Sequence, residues 1–267
     1  MARALRGGRR ALLAAALVAA GAAACDEFGT GVGEIGYIAF DGVPWPSLVA
    51  GDTMRDSLGV ATPLRASAYD AAGRLIPDAA FTYLLLDTGA VIDADGTLRA
   101  TTRRDGTLRV VASLNGLQTA DQLIRVTRRP DSAFAAAGAS QTLRWVLPDG
   151  SANTSTDLRL ALVSGDSIGV PPGVGGWIVR WRTVHDGDTF APGDTSLAVL
   201  QGTGGARGAV DTTTAEGTAT RRLRVFAGRI PAPVDSFIVL AEVRRWGAPV
   251  PGSPVRFVVN IAPTTTP

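Results

Sequence analysis

The chain has 267 residues, 46% hydrophobic and 6% aromatic, and its 26 basic residues, all arginine, stand against 24 acidic ones. A single cysteine excludes an internal disulfide, and a single histidine excludes a multi-histidine zinc centre. Four arginines and no acidic residue precede Cys25, so the chain from Cys25 onward carries 22 basic against 24 acidic groups, a net of −2. That balance lacks the concentrated positive face that nucleic-acid binding requires.

The first segment opens with Arg3, Arg6, Arg9 and Arg10, continues through an apolar run at 11–20 (ALLAAALVAA), and closes on Gly21-Ala22-Ala23-Ala24-Cys25. A positive start, a short apolar stretch and small residues at a cleavage position are the physical parts of a secretory signal. The run is too short to span a bilayer, which takes about 20 apolar residues. The arrangement resembles the signal of bacterial lipoproteins, in which the peptidase cuts before a cysteine carrying diacylglycerol. The resemblance implies a signal peptide at 1–24, acyl chains (palmitate among them) on Cys25, the membrane as a partner, and a location in the cell envelope, periplasmic or at the cell surface. The alternative is an ordinary secretory signal with an incidental cysteine. Residues 25–33 read as a short Gly-rich tether.

From residue 34 onward the periodicity is that of strands. Leu108, Val110, Ala112 and Leu114 share one face of a run at 107–114, and further β runs fall at 35–40, 64–69, 81–86, 123–126, 158–163, 177–181, 223–226, 237–243 and 255–261. Turn chemistry separates them: Asp70-Ala71-Ala72-Gly73, Asp95-Gly96, Asn115-Gly116, Pro148-Asp149-Gly150 and Glu216-Gly217. Asn115-Gly116 is the sharpest signal, because both central residues of a type I′ turn need positive φ. No stretch after the signal shows a capped 3.6-residue period, so the expected class is all-β. Short strands at such spacing point to sandwiches. The charged, Pro-containing break Arg128-Arg129-Pro130-Asp131-Ser132 divides the chain into domains at 34–129 and 133–263, with a polar tail at 264–267.

The first domain resembles bacterial immunoglobulin-like modules of the group 2 type. The residues that carry this are Leu64-Arg65-Ala66-Ser67-Ala68-Tyr69-Asp70-Ala71-Ala72-Gly73, Phe81-Thr82-Tyr83, Ala90-Val91-Ile92-Asp93-Ala94-Asp95-Gly96-Thr97-Leu98 and Gly106-Thr107-Leu108-Arg109-Val110-Val111-Ala112-Ser113. The second domain is similar to invasin-type modules through Thr212-Thr213-Thr214-Ala215-Glu216-Gly217-Thr218-Ala219-Thr220 and Gly247-Ala248-Pro249-Val250-Pro251-Gly252-Ser253-Pro254-Val255-Arg256-Phe257. These resemblances imply two immunoglobulin-like β-sandwiches with a structural, adhesive or protein-interaction role, and no catalytic residues or cofactor.

Candidate chemistry is sparse. His185, in Val184-His185-Asp186-Gly187-Asp188, reads as part of a polar loop, and no G-x-S-x-G elbow accompanies it. Asp93-Ala94-Asp95-Gly96 reads as a hairpin turn, since its glycine arrives too early for an EF-hand loop. Asp186, Asp188 and Asp194 are a candidate calcium set between modules. Trp177 and Trp181 share one strand face, with Arg180 and Arg182 on the other; Trp181 reads as core. Trp177, beside a Gly-rich loop, and Trp246, in a turn, are the candidate ligand-binding residues. The expected function is a non-catalytic, lipid-anchored envelope protein whose modules serve a structural, adhesive or protein-interaction role. The alternatives are a carbohydrate- or peptidoglycan-binding lipoprotein, and a subunit of a secretion or surface assembly with other envelope proteins as partners.

Overall fold

The computed structural model describes residues 34–101, 105–147, 153–165, 170–190, 196–229 and 236–264. The signal segment, Cys25, the tether and Asp194 lie outside the described residues.

Strands β1 (Ile35–Phe40), β2 (Ser47–Val49), β3 (Ala66–Asp70), β4 (Leu75–Ile76), β5 (Thr82–Leu85), β6 (Ala90–Ile92), β7 (Leu98–Ala100), β8 (Gly106–Leu114), β9 (Leu117–Gln118) and β10 (Gln122–Thr127) make up the first half. The second holds β11 (Ser132–Ala137), β12 (Ser140–Trp145), β13 (Leu158–Val163), β14 (Ile178–His185), β15 (Asp188–Thr189), β16 (Ala198–Gln201), β17 (Val210–Thr212), β18 (Thr218–Val225), β19 (Ser236–Arg245), β20 (Ala248–Pro249) and β21 (Val255–Pro263). The only helical element among the described residues is the 3-10 turn Ala227–Arg229. The chain is all-β, as its periodicity predicts. Burial alternates residue by residue along β18 and through most of β14 and β19, the pattern of a sheet with one face in a core.

In the second half one sheet runs β11-β13-β18-β16 and the other β12-β21-β19-β14-β15, with β17 also on β14 and β20 also on β19. Taken in chain order, these are the A-B-E-D and C-F-G sheets of an immunoglobulin sandwich, with β12 added parallel to the last strand. The first half repeats the second of these sheets as β2-β10-β8-β5, with β2 parallel to β10, and sets it against β1-β3-β4 and the β6–β7 hairpin.

Positive φ falls where the turns require it. Asn115 and Gly116, at 50° and 86°, close the β8–β9 hairpin as a type I′ turn demands. Asp186 and Gly187, at 50° and 87°, do the same between β14 and β15. That turn corrects the reading of His185 as a loop residue. The strand continues to His185, whose register partner is Asp188, and the imidazole is buried.

β10 ends at Thr127 and β11 begins at Ser132. Among the described residues, no named strand of one half pairs with one of the other. Most of the buried apolar side chains nevertheless form a single cluster that runs from Trp45 to Ile261.

Candidate functional site

Two of the tryptophans singled out by sequence, Trp177 and Trp246, lie where the halves meet, together with Trp45, which the sequence reading did not single out. Trp45 sits between Pro44 and Pro46, whose rings fix their own φ and bias Trp45 toward extended backbone ahead of β2. Trp177 enters β14 from the Gly-rich loop. The two rings lie 5.5 Å apart with their planes tilted 59°, within the range of favourable aromatic pairs. Trp177 is 1% exposed; its Nε1 donates to the Arg244 carbonyl at 2.9 Å, and its backbone N–H donates to Thr213 Oγ1. A ring in this position offers no free face for a sugar, so Trp177 belongs to the core of the junction. Burial likewise places Trp181 inside the second sandwich, where it packs on Phe257 at 5.7 Å, with Arg180 and Arg182 outward as the alternation predicts.

Trp246 occupies the tip of the β19–β20 hairpin at φ 50°, followed by Gly247 at 80°. A bulky residue in the left-handed region is strained, and it persists where surrounding contacts hold it. Here Arg55 of the first half lies over its ring at 5.1 Å and Arg245 at 5.5 Å. Arg55 is itself oriented by Asp52, whose hydrogen bond is the main cause holding the guanidinium above its ordinary pKa, and its Nη1 donates to the Gly59 carbonyl at 2.9 Å. Gly59 must be glycine: with φ at 88°, a Cβ there would stand 2.5 Å from that of Trp246. Trp246 is therefore half-buried against two cations rather than fully presented to solvent.

Two further contacts close the junction. Arg125 of β10 lies across Gly175 and Gly176, where added Cβ atoms would come within 2.8 and 2.9 Å of its side chain. The Gly-rich loop thus lets an arginine stem cover bare backbone. Arg245 Nη1 donates to the Pro130 carbonyl at 2.9 Å and to Asp131 at 3.0 Å, tying the connection between the halves to β19. Trp45 Nε1, Ser47 Oγ and Arg125 Nε are buried without a hydrogen-bond partner, at a cost of about 1–3 kcal/mol each. The aromatic and apolar burial around them offsets this.

The remaining candidates resolve into structure. The His185 ring donates from Nδ1–H to the Ser236 carbonyl at 3.1 Å and packs on Phe237 at 4.7 Å. Asp95 accepts from the Thr97 N–H at 2.9 Å and from its hydroxyl, which hold its carboxyl below the usual range, while the Gly96 N–H donates to the Asp93 carbonyl. This is the hairpin turn read from the sequence. Asp186 and Asp188 flank the β14–β15 turn, and among the described residues no group of three or more His, Cys, Asp or Glu side chains could hold a metal ion.

No family model matches the sequence, and no curated protein matches it. Among solved structures the chain is similar to domains 4–9 of the surface layer protein SbsC, at 13% identity and TM-score 0.31, covering 87% of this chain and 31% of that one. It is similar at 13% identity and TM-score 0.32 to the Yersinia pseudotuberculosis adhesin InvE, covering 87% and 61%, and at 13% and 0.31 to Drosophila N-cadherin EC1-4, covering 87% and 51%. The chain thus spans less than two thirds of the length of each of these. The immunoglobulin-like architecture rests on the strand order itself.

Proposed function

We propose that this protein is a non-catalytic, lipid-anchored component of a bacterial cell envelope, in which two immunoglobulin-like sandwiches act as one stiff spacer that presents surfaces away from the membrane. The observation that carries the reading is the junction. Trp45 against Trp177, Trp246 against Arg55 and Arg245, and Arg245 on the connecting segment join the halves through a shared core, where a mobile pair would be joined by exposed linker. The signal-like residues 3–24 and Cys25 supply the anchor. Each buried methylene contributes about 0.8 kcal/mol, and stable anchoring takes more than one acyl chain. A glycan-binding role loses support, because its two candidate aromatics are engaged at the junction.

The test has two arms. Wild-type protein is expected to partition into the detergent phase and Cys25→Ser into the aqueous phase; a wild-type protein that stays aqueous refutes the anchor. Small-angle scattering on the Cys25→Ser protein is expected to give one elongated particle of fixed length, and a broad distribution of interdomain distances would refute the spacer.

A further inference from the structure

Strand β5 is a sheet edge with little to guard it. It ends the order β2-β10-β8-β5, and no strand among the described residues pairs with its other side. The Leu86 N–H donates to the Arg109 carbonyl at 2.9 Å, and Leu84 and Thr82 stand opposite Val111 and Ser113. Antiparallel pairing alternates, so Thr82, Leu84 and Leu86 bond to β8, while the N–H and C=O of Tyr83 and Leu85 point outward. Exposed edges are usually blunted by charge, proline or shortness. β4 has two residues and stops at Pro77, and β15 has two residues led by Asp188. On the flank of β12, Gln141 Oε1 accepts from the Thr156 N–H and hydroxyl. The run Phe81-Thr82-Tyr83-Leu84-Leu85-Leu86 has no charge and no proline, and Leu84 and Leu86 are 41% and 46% exposed.

Beside this edge opens a cleft of about 720 Å³, bounded by β3, by the segment that leaves β4, and by Tyr83. It forms because β4 ends at Ile76, opposite Ala68, so Ala66 and Ser67 of β3 have no strand partner on that side. Its lining carries three carboxylates, Asp41, Asp78 and Asp95, against one cation, Arg65. Side chains of a strand added to β5 would alternate. One set would lie beside Leu84 and Leu86 on the outer face, and the other would lie on the Tyr83 side, where Tyr83 borders the acidic cleft.

We propose that the outward edge of β5 and the adjoining cleft dock an extended peptide segment of a partner protein that alternates apolar with basic residues. Backbone hydrogen bonds to Tyr83 and Leu85 supply the pairing, the leucine face takes the apolar side chains, and the carboxylate rim takes the arginines or lysines. The site lies in the first half and is independent of lipid on Cys25.

The probe is an acetylated, amidated peptide Val-Arg-Val-Arg-Val-Arg added to the full chain in detergent, followed by fluorescence anisotropy and amide hydrogen exchange. Saturable binding is expected, with exchange at Tyr83 and Leu85 slowed by at least about tenfold and exchange at Leu84 and Leu86 little changed. The pair Leu84→Lys and Leu86→Lys, both exposed, is expected to weaken binding at least about tenfold by charging the edge. Asp41→Asn with Asp78→Asn is expected to weaken it a few-fold and to flatten its salt dependence. Absence of binding up to about 1 mM, equal binding of Val-Glu-Val-Glu-Val-Glu, or binding without protection of Tyr83 and Leu85 would overturn the proposal. Protection of those amides by dimerisation without peptide would overturn it in favour of a second copy as the occupant.

Discussion

Coupling across the junction can be measured directly with Trp45→Ala, Trp177→Ala and the double variant. Trp177 is 1% exposed and Trp45 8%, so each truncation falls among large core deletions that cost about 3–5 kcal/mol. Trp177→Ala also strips the Arg244 carbonyl of its indole donor. At about 2–4 °C per kcal/mol for a chain of this size, each single variant should lower Tm by roughly 6–20 °C. Because the rings touch, the double variant should cost less than the sum of the singles, by about 0.5–1.5 kcal/mol. Urea unfolding followed by far-ultraviolet circular dichroism reads all four proteins without depending on the deleted fluorophores. Additivity to within about 0.3–0.5 kcal/mol would refute the account. So would two separate transitions of which each variant shifts only one.

Trp246→Asn removes both cation–π contacts, worth about 0.5–1 kcal/mol each at such exposure, while Asn tolerates φ 50° better than Trp. The expected result is a small loss of stability with a wider spread of interdomain distances in solution scattering. Gly217→Ala places a Cβ 2.4 Å from the Leu162 carbonyl oxygen at φ 77° and is expected to cost about 1–3 kcal/mol or more. Gly116→Ala, with open space around it, should cost only the left-handed penalty of about 1–2 kcal/mol; thermal unfolding of both checks the ranking. Asp70 is held below the ordinary carboxyl range, first by the Arg74 N–H and also by the Arg74 guanidinium and the Ala72 N–H. Asp87 is lowered in the same direction, chiefly by the Arg109 guanidinium. Both therefore contribute stability that is complete above the unfolded value of about 3.9 and is lost as pH falls through the lower folded values. Asp70→Asn should flatten the acid limb of the stability–pH curve measured by urea titration, and an unchanged slope would count against this assignment.

Much of the fold was readable because alternation and turn chemistry agree. Asn115-Gly116 marked its hairpin, and the 107–114, 158–163, 237–243 and 255–261 runs correspond to β8, β13, β19 and β21. Strand β11 escaped notice because its sequence, Ser132-Ala133-Phe134-Ala135-Ala136-Ala137, is mostly alanine, which is weak in β-propensity and shows no apolar–polar alternation, and β12 because only Leu143 of its six residues is a buried apolar side chain. β2 is three residues long after Pro46, too short for any period to show. The candidate site misled for a different reason. A tryptophan beside glycines looks the same in sequence whether the glycines open a binding face or admit a neighbouring side chain, and Gly175 and Gly176 admit Arg125. Asp-Gly at 186–187 was the available clue that His185 ends a strand, since it carries the same turn signature as Asn115-Gly116.

The bond from Arg245 to the Pro130 carbonyl changes how a pull along the molecule would be carried. Tension entering at the amino-terminal end reaches the second sandwich by two parallel routes, the covalent backbone at 128–131 and the guanidinium bridge into β19, with the indole contacts bearing on either side. On the stiff-spacer reading such a joint acts as a weld rather than a hinge, and bending would begin by peeling Trp246 away from its two arginines.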